Sequence, residues 1–407
     1  MGPTDIVLRV TRFVTSSPAA SGAAISSSLA IMGVDRPTRA SLLAIVPLIG
    51  AGSVSAQTRW TVEPRPVIEI ASESQGAVTL FTRVAHVEQL PTGELLVVDG
   101  ATHELRFVGA DGRFRRKVGR NGAGPGEYRS ISGVVVHDGR VNVFDASQAR
   151  ITRMTLAGGS VTTMVVGAPP DSRRGIWSYA PGGVLDGRPV FLASGFPSRN
   201  SAPARYTDSV PQYIYSRDAA TAKRIGEMVI MDALFESARS KGDVIFGRFS
   251  ASVVGGRHLF VTDGGRFAVR AYDASGALVR TIGRELPPQR VTGADFEEYV
   301  SFRQQFAQNM SRSDLRGLLS AIPRAEFKPF ISRLLVDDQD NLWVEHWTVR
   351  QYFGPGTWSV FDPLGRLLAE ATFPRGFRPS TIRGGVVAGV QYDDDGVEGI
   401  QLLRVRR

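Results

Sequence analysis

Residues 93–119 read GELLVVDGATHELRFVGADGRFRRKVG, and the pattern returns at 139–167 as GRVNVFDASQARITRMTLAGGSVTTMVVG and at 256–283 as GRHLFVTDGGRFAVRAYDASGALVRTIG. Each copy holds an apolar run ending in aspartate and a six-residue step to the next run: Asp99 to Leu105, Asp145 to Ile151, Asp263 to Val269. A glycine turn and a third run ending in glycine complete it. Self-similarity in matching register marks a repeat architecture, in which one unit cannot bury its faces alone and must stack on its neighbours. A fourth copy at 340–373 keeps the frame but puts His346 where the aspartate stood, and takes twelve residues to reach Trp358. A fifth, GRPVFLASGF at 187–196, has Ser194 there, and the last, at 382–407, has room for inner strands only.

With a preceding inner strand such as ISGVVVHDG, each unit reads as a four-stranded antiparallel meander. Radial stacking of such sheets gives an all-β fold, a six-bladed β-propeller. The incomplete last blade needs an outer strand. The segment RWTVEPRPVIEIA (59–71) has strand character and lies outside any other unit, so it is expected to close the ring and cover its open edge.

The glycine-rich stretch VGRNGAGPGEY (118–128) raises the possibility of a phosphate cradle. Such a loop needs a helix after it and usually a lysine. The next residues are RSISGVVVHDGRVNVFDAS, two β-branched runs around a tight turn, so the glycines read as a link between blades. The whole stretch VGRNGAGPGEYRSISGVVVHDGRVNVFDASQARITRM resembles the NHL repeat, and FEEYVSFRQQF with IPRAEFKPFISRLLVDDQDNLWVEHW is similar to an exported bacterial family of six-bladed propellers. The resemblance spans most of residues 83–373, although the third unit lacks both the aspartate and the GPGE link. It implies the fold and leaves the function open, because NHL-like propellers include binding scaffolds, lyases and calcium hydrolases.

The chain has 407 residues, net charge +9 and no cysteine, which excludes disulfides, thiolate metal sites and cysteine nucleophiles. From Met32, two arginines precede an apolar stretch containing Pro47, with Ser55 and Ala56 before Gln57. That order is the pattern of a secretory signal. Residues 1–56 are therefore expected to be upstream leader plus signal peptide, with Met32 the true start, and 57–407 a single domain in the periplasm or outside the cell. The apolar run is too short for a membrane span. The positive charge is scattered arginine, with lysine only at 117, 223, 241 and 328, so nucleic acid is not an expected partner and a monomer is expected.

Successive turns of a meander alternate between sheet ends, so the interblade links share a face with the turns between second and third strands. Long insertions at 194–212, 229–248, 284–329 and 346–357 all fall on that face, and the third of these has helical periodicity at 293–308 and 311–322, a two-helix flap between blades 4 and 5 expected over the channel. The candidate ligand-binding residues there are Tyr128, Arg129, Trp177, Arg248, His346, Trp347, Arg350 and Tyr352, which combine flat apolar surface with fixed donors. Asp99, Asp145 and Asp263 read as turn caps. No resident cofactor is expected, and a divalent metal would have only His86 and His346 to approach the axis. The reading is an exported, non-catalytic binding protein for a glycan, peptide or protein partner. The alternative is a metal-assisted lyase or hydrolase working in the channel.

Overall fold

The computed structural model describes residues 58–70, 81–168, 176–195, 204–237, 240–248, 250–307, 309–350, 353–393 and 396–407, with the backbone alone at 176–181, 192–195, 204–211, 226–237 and 240–243. Six inner strands, Val84–Gln89, Ile131–His137, Ile176–Leu185, Ala251–Gly255, Ile331–Val336 and Phe377–Arg383, touch one another in cyclic order. Each opens an antiparallel meander. No described helix is long and apolar enough to cross a membrane.

The second strands explain why the repeats are so apolar. In Leu95–Asp99 all five residues are buried. Because side chains alternate between sheet faces, Leu96 and Val98 pack with Val141 and Val143 of blade 2, while Leu95 and Val97 pack with Val390 and Ile400 of blade 6. A strand flanked by sheets on both faces must be apolar at every position rather than at every second one. The same division produces six interblade wedges of core.

The N-terminal segment closes the last blade in two pieces, β1 (Arg59–Val62) and β2 (Ile68–Ile70), separated by the proline-bearing Glu63-Pro64-Arg65-Pro66. The second piece pairs antiparallel with Glu398–Arg406, Ile68 opposite Leu402. The first does more than expected. It pairs antiparallel with the same strand, Thr61 opposite Arg406, and parallel with the outer strand of blade 5, Arg59 opposite Glu370. Blades 5 and 6 are thereby joined into one nine-stranded sheet.

Blade 3 corrects the expected insertions at 194–212 and 229–248. Instead of irregular loops, the described backbone there belongs to long strands, Arg188–Gly195, Ala204–Tyr215 and Ala222–Ser237, and a fifth strand, Ser240–Asp243, folds back on the last of them. The helical insertion is present as α1 (Gly293–Gln304) and α2 (Arg312–Ser320). Thr292 and Asp295 form a capping box on α1, and Ser311 caps α2 by accepting from the Asp314 N–H. Phe296, Val300, Leu315 and Leu319 bury their side chains against Val244, Ile245, Phe246 and Val349. The pair is thus a packed satellite core held against the link from blade 3.

Candidate functional site

The insertion-bearing face is built on two kinds of joint. In the first, the aspartate ending a second strand ties down its own turn and the neighbouring link. Asp145, 1% exposed, accepts from the Arg129 N–H (2.8 Å), the Gln148 N–H (3.2 Å), the Ser147 hydroxyl (2.9 Å) and the Gln148 amide (2.6 Å). Asp99 accepts from the N–H groups of Thr82, Ala101 and Thr102, and Asp263 from that of Gly265. In the second, the glycine-rich link folds around its own carboxylate. Glu127 accepts from the Gly124 N–H (2.8 Å) and the Arg120 guanidinium (2.8 Å), and these two hold its carboxyl below the usual range. Arg150 donates to the carbonyls of Ala123 and Glu127. Gly119 is required by close approach: at φ +90° its missing Cβ would lie 2.7 Å from the Tyr128 ring. The N–H groups of Gly122, Gly124, Glu127 and Tyr128 are already engaged within the link.

A cavity of about 300 Å³ opens between blades 4 and 5, beside α1. Phe267, Phe330 and Trp347 supply ring surface, and Gln289, Asp295, Glu298, Lys328 and His346 supply polar groups. Lys328 Nζ lies 2.7 Å from Asp295 Oδ1 and Arg350 Nε 3.1 Å from Glu298 Oε1. Burial works to raise the Asp295 carboxyl, but the bonds from Lys328 and Thr292 outweigh it and keep it ionised. His346 Nε2 lies 2.9 Å from Ser359 Oγ, and Arg284 donates to Glu370 Oε1 behind it (2.8 Å). Its ring meets Phe267 edge-on at 4.9 Å. Burial pushes the imidazole pKa down and the Arg284 charge adds to this, with Glu370 opposing, so the ring is neutral at pH 7.

Residues 78–165 match the DUF5128 family, described as a 6-bladed beta-propeller. The chain is a six-bladed β-propeller. No curated protein matches it in sequence. A member of the DUF4221 family from Bacteroides vulgatus superposes with TM-score 0.52 at 9% identity, covering 86% of this chain and 99% of its own. A candidate exported protein from Bacteroides fragilis gives 0.47 at 13%, covering 87% and 98%. The calcium-binding protein regucalcin from Agrobacterium tumefaciens gives 0.41 at 9%, covering 86% and 96%. Identities this low speak to the propeller fold alone.

Within the propeller, His346, Trp347 and Arg350 are brought together around the cavity, Trp347 standing edge-on to Phe246 at 5.7 Å. Arg248 lies beside Asp263 on blade 4 (4.0 Å), and Arg129 is exposed on the link into blade 2. Tyr128 is a correction. It is fully buried between blades 1 and 2, and burial raises its hydroxyl pKa to about 12, so it is a core ring closed to any ligand. Trp177 lies on the inner strand of blade 3 with its side chain outside the described residues, as Tyr352 is entirely. The two histidines of the metal alternative are not brought together. His86, on blade 1, bonds Glu88 at 3.0 Å, and His346 lies on blade 5. Among the described residues no three groups of metal-ligating type converge. Arg284, Asp295, Lys328, Ser359 and Glu370 were not among the sequence candidates. Only Lys328 left a trace, as one of four lysines in an arginine-rich chain.

Proposed function

We propose that this propeller is an exported, non-catalytic binding protein that takes a glycan, peptide or protein partner on its insertion-bearing face, at the cavity between blades 4 and 5. The observation that carries this reading is the wall of the cavity, where three rings stand among charged groups that are already paired. Concave sites with apolar walls and a few fixed polar groups are suited to holding a ligand. Arg350→Ala is expected to weaken partner binding about five- to twentyfold with an unchanged melt, because its guanidinium is 42% exposed at the rim. Trp347→Ala is expected to weaken binding further and to lower the melting temperature, since the ring also packs on the helical core. Calorimetry with partners found by glycan and peptide arrays, read beside thermal melts, checks both. Equal affinity in folded Arg350→Ala and Trp347→Phe proteins would place the site elsewhere.

Export rests on the signal-like order of residues 32–56, which lie outside the described structure. Protein recovered from the source organism is expected to begin at Gln57 on N-terminal sequencing. A chain starting at or before Met32 would remove export from the reading.

A further inference from the structure

We infer that the cavity between blades 4 and 5 recognises a neutral, hydroxyl-rich sugar ring, with His346 Nδ1 accepting a hydroxyl hydrogen from it. This rests on the reading of that cavity as the binding site and gives it a ligand class. The first support is charge. Asp295 pairs with Lys328 in the wall and Glu298 with Arg350 at its rim, and His346 is neutral, so wall and rim together carry no net charge with which to hold an ion. A charged ligand would have to displace one of these pairs. A neutral ligand has no such cost, and the paired groups still offer spare lone pairs and N–H bonds to hydroxyls.

The second support is the tautomer of His346, assigned from its hydrogen-bond network. Ser359 Oγ is fully buried and has a single hydrogen, for which the Glu370 carboxylate, at 3.5 Å, is the stronger acceptor. Arg284 also donates toward Oγ, at 3.4 Å. The serine oxygen is therefore left as an acceptor, and His346 Nε2 carries the hydrogen that meets it. Nδ1 then presents a lone pair, it has no hydrogen-bond partner among the described residues, and its ring lines the cavity. An acceptor held in one orientation by a buried serine, beside ring faces suited to sugar C–H groups, is a hydroxyl site. The position is also where the repeat departs from its aspartate, so a group that caps a turn in three other blades is replaced by one that lines the cavity.

The test titrates the full folded chain by calorimetry with neutral hexose and N-acetylhexosamine oligosaccharides, sialylated and sulfated oligosaccharides, and acidic and basic peptides. A neutral oligosaccharide is expected to bind. His346→Gln keeps an amide where Nε2 meets Ser359 but has no acceptor at the Nδ1 position, and should bind about tenfold more weakly. His346→Asn puts an amide oxygen near Nδ1 and should stay within about threefold. The groups facing the imidazole are Arg284, Glu370 and Phe267, with Asp295, Glu298 and Lys328 across the cavity. Wild-type binding should fall as the pH drops below the ordinary imidazole range, where this ring, its pKa lowered by burial, protonates and turns from acceptor to donor, while His346→Asn should not share that loss. Preference for charged glycans, silence toward every neutral oligosaccharide, or a folded His346→Gln protein of wild-type affinity would overturn the inference. Capture of a peptide that depends on Arg350 would sink the sugar assignment and leave the binding face standing. An oligosaccharide whose affinity ignores every cavity variant would sink the site itself.

Discussion

Removal of residues 58–70 should abolish cooperative folding and drive the protein to aggregate. Trp60 is 9% exposed, meets Trp343 edge-on at 5.6 Å and has the Arg407 guanidinium 4.9 Å from its ring centre, while Ile70 is 1% exposed in the wedge between blades 6 and 1. Truncating a buried tryptophan or isoleucine to alanine costs about 2–5 kcal/mol each. Losing both together is comparable with the roughly 5–15 kcal/mol that holds a folded domain together. The deletion also bares the edge of Glu398–Arg406, which carries Ile400, Leu402 and Leu403. An unpaired apolar edge recruits other chains. Circular dichroism melts and light scattering read both effects, and a truncated protein with a wild-type melting temperature would show that the seam holds without these strands.

Asp145→Ala is expected to cost about 2–4 kcal/mol, more than an ordinary cap, while leaving ligand binding untouched. A surface cap satisfies one or two helix or turn donors, and its loss costs about 1 kcal/mol. Asp145 serves four donors at once, and one of them, the Arg129 N–H, belongs to the link from the preceding blade. Its removal leaves four part-buried donors short of a partner and loosens a joint between blades rather than one turn. Urea unfolding measures the loss. If the variant kept its stability but lost ligand affinity, the aspartate turns rather than the blade 4–5 cavity would form the site.

The order of strands was legible in the sequence because the repeat announces itself chemically. Runs such as LLVV and LFV are apolar at consecutive positions only when sheets cover both faces, and glycine turns at fixed offsets leave few other ways to connect them. The closing role of residues 59–70 was legible for the same reason, since one blade lacked a strand. Blade 3 was misread where ARYTDSVPQ and IMDALFESA lack the turn spacing of the other units, so polar residues that continue a strand looked like loop. The site was only half visible. His346 stood out as a departure from the repeat, whereas Ser359, Glu370 and Asp295 occupy positions that are ordinary within their own strand or helix. They gain meaning only when the strands of blade 5 and the helical insertion are brought side by side. Tyr128 misled in the opposite direction, because an aromatic beside a glycine link has the same sequence signature whether its ring points outward or fills the wedge.

The pairing of β1 with two blades also sets an order of assembly. Glu63 and Arg406 form an ion pair across 343 positions of chain, so the outermost strand of the last blade leaves the ribosome long before the partner it must meet. Bringing such distant segments together costs about 5 kcal/mol of chain entropy by the logarithmic scaling of loop closure, less whatever the intervening blades recover by folding first. Five blades have all their own strands in sequence, but the sixth exists only when both segments have arrived. Completion of the ring is thus a report that the whole propeller has been made. A chain truncated late in synthesis would carry an open seam, with β1 and β2 lacking the strand they pair with.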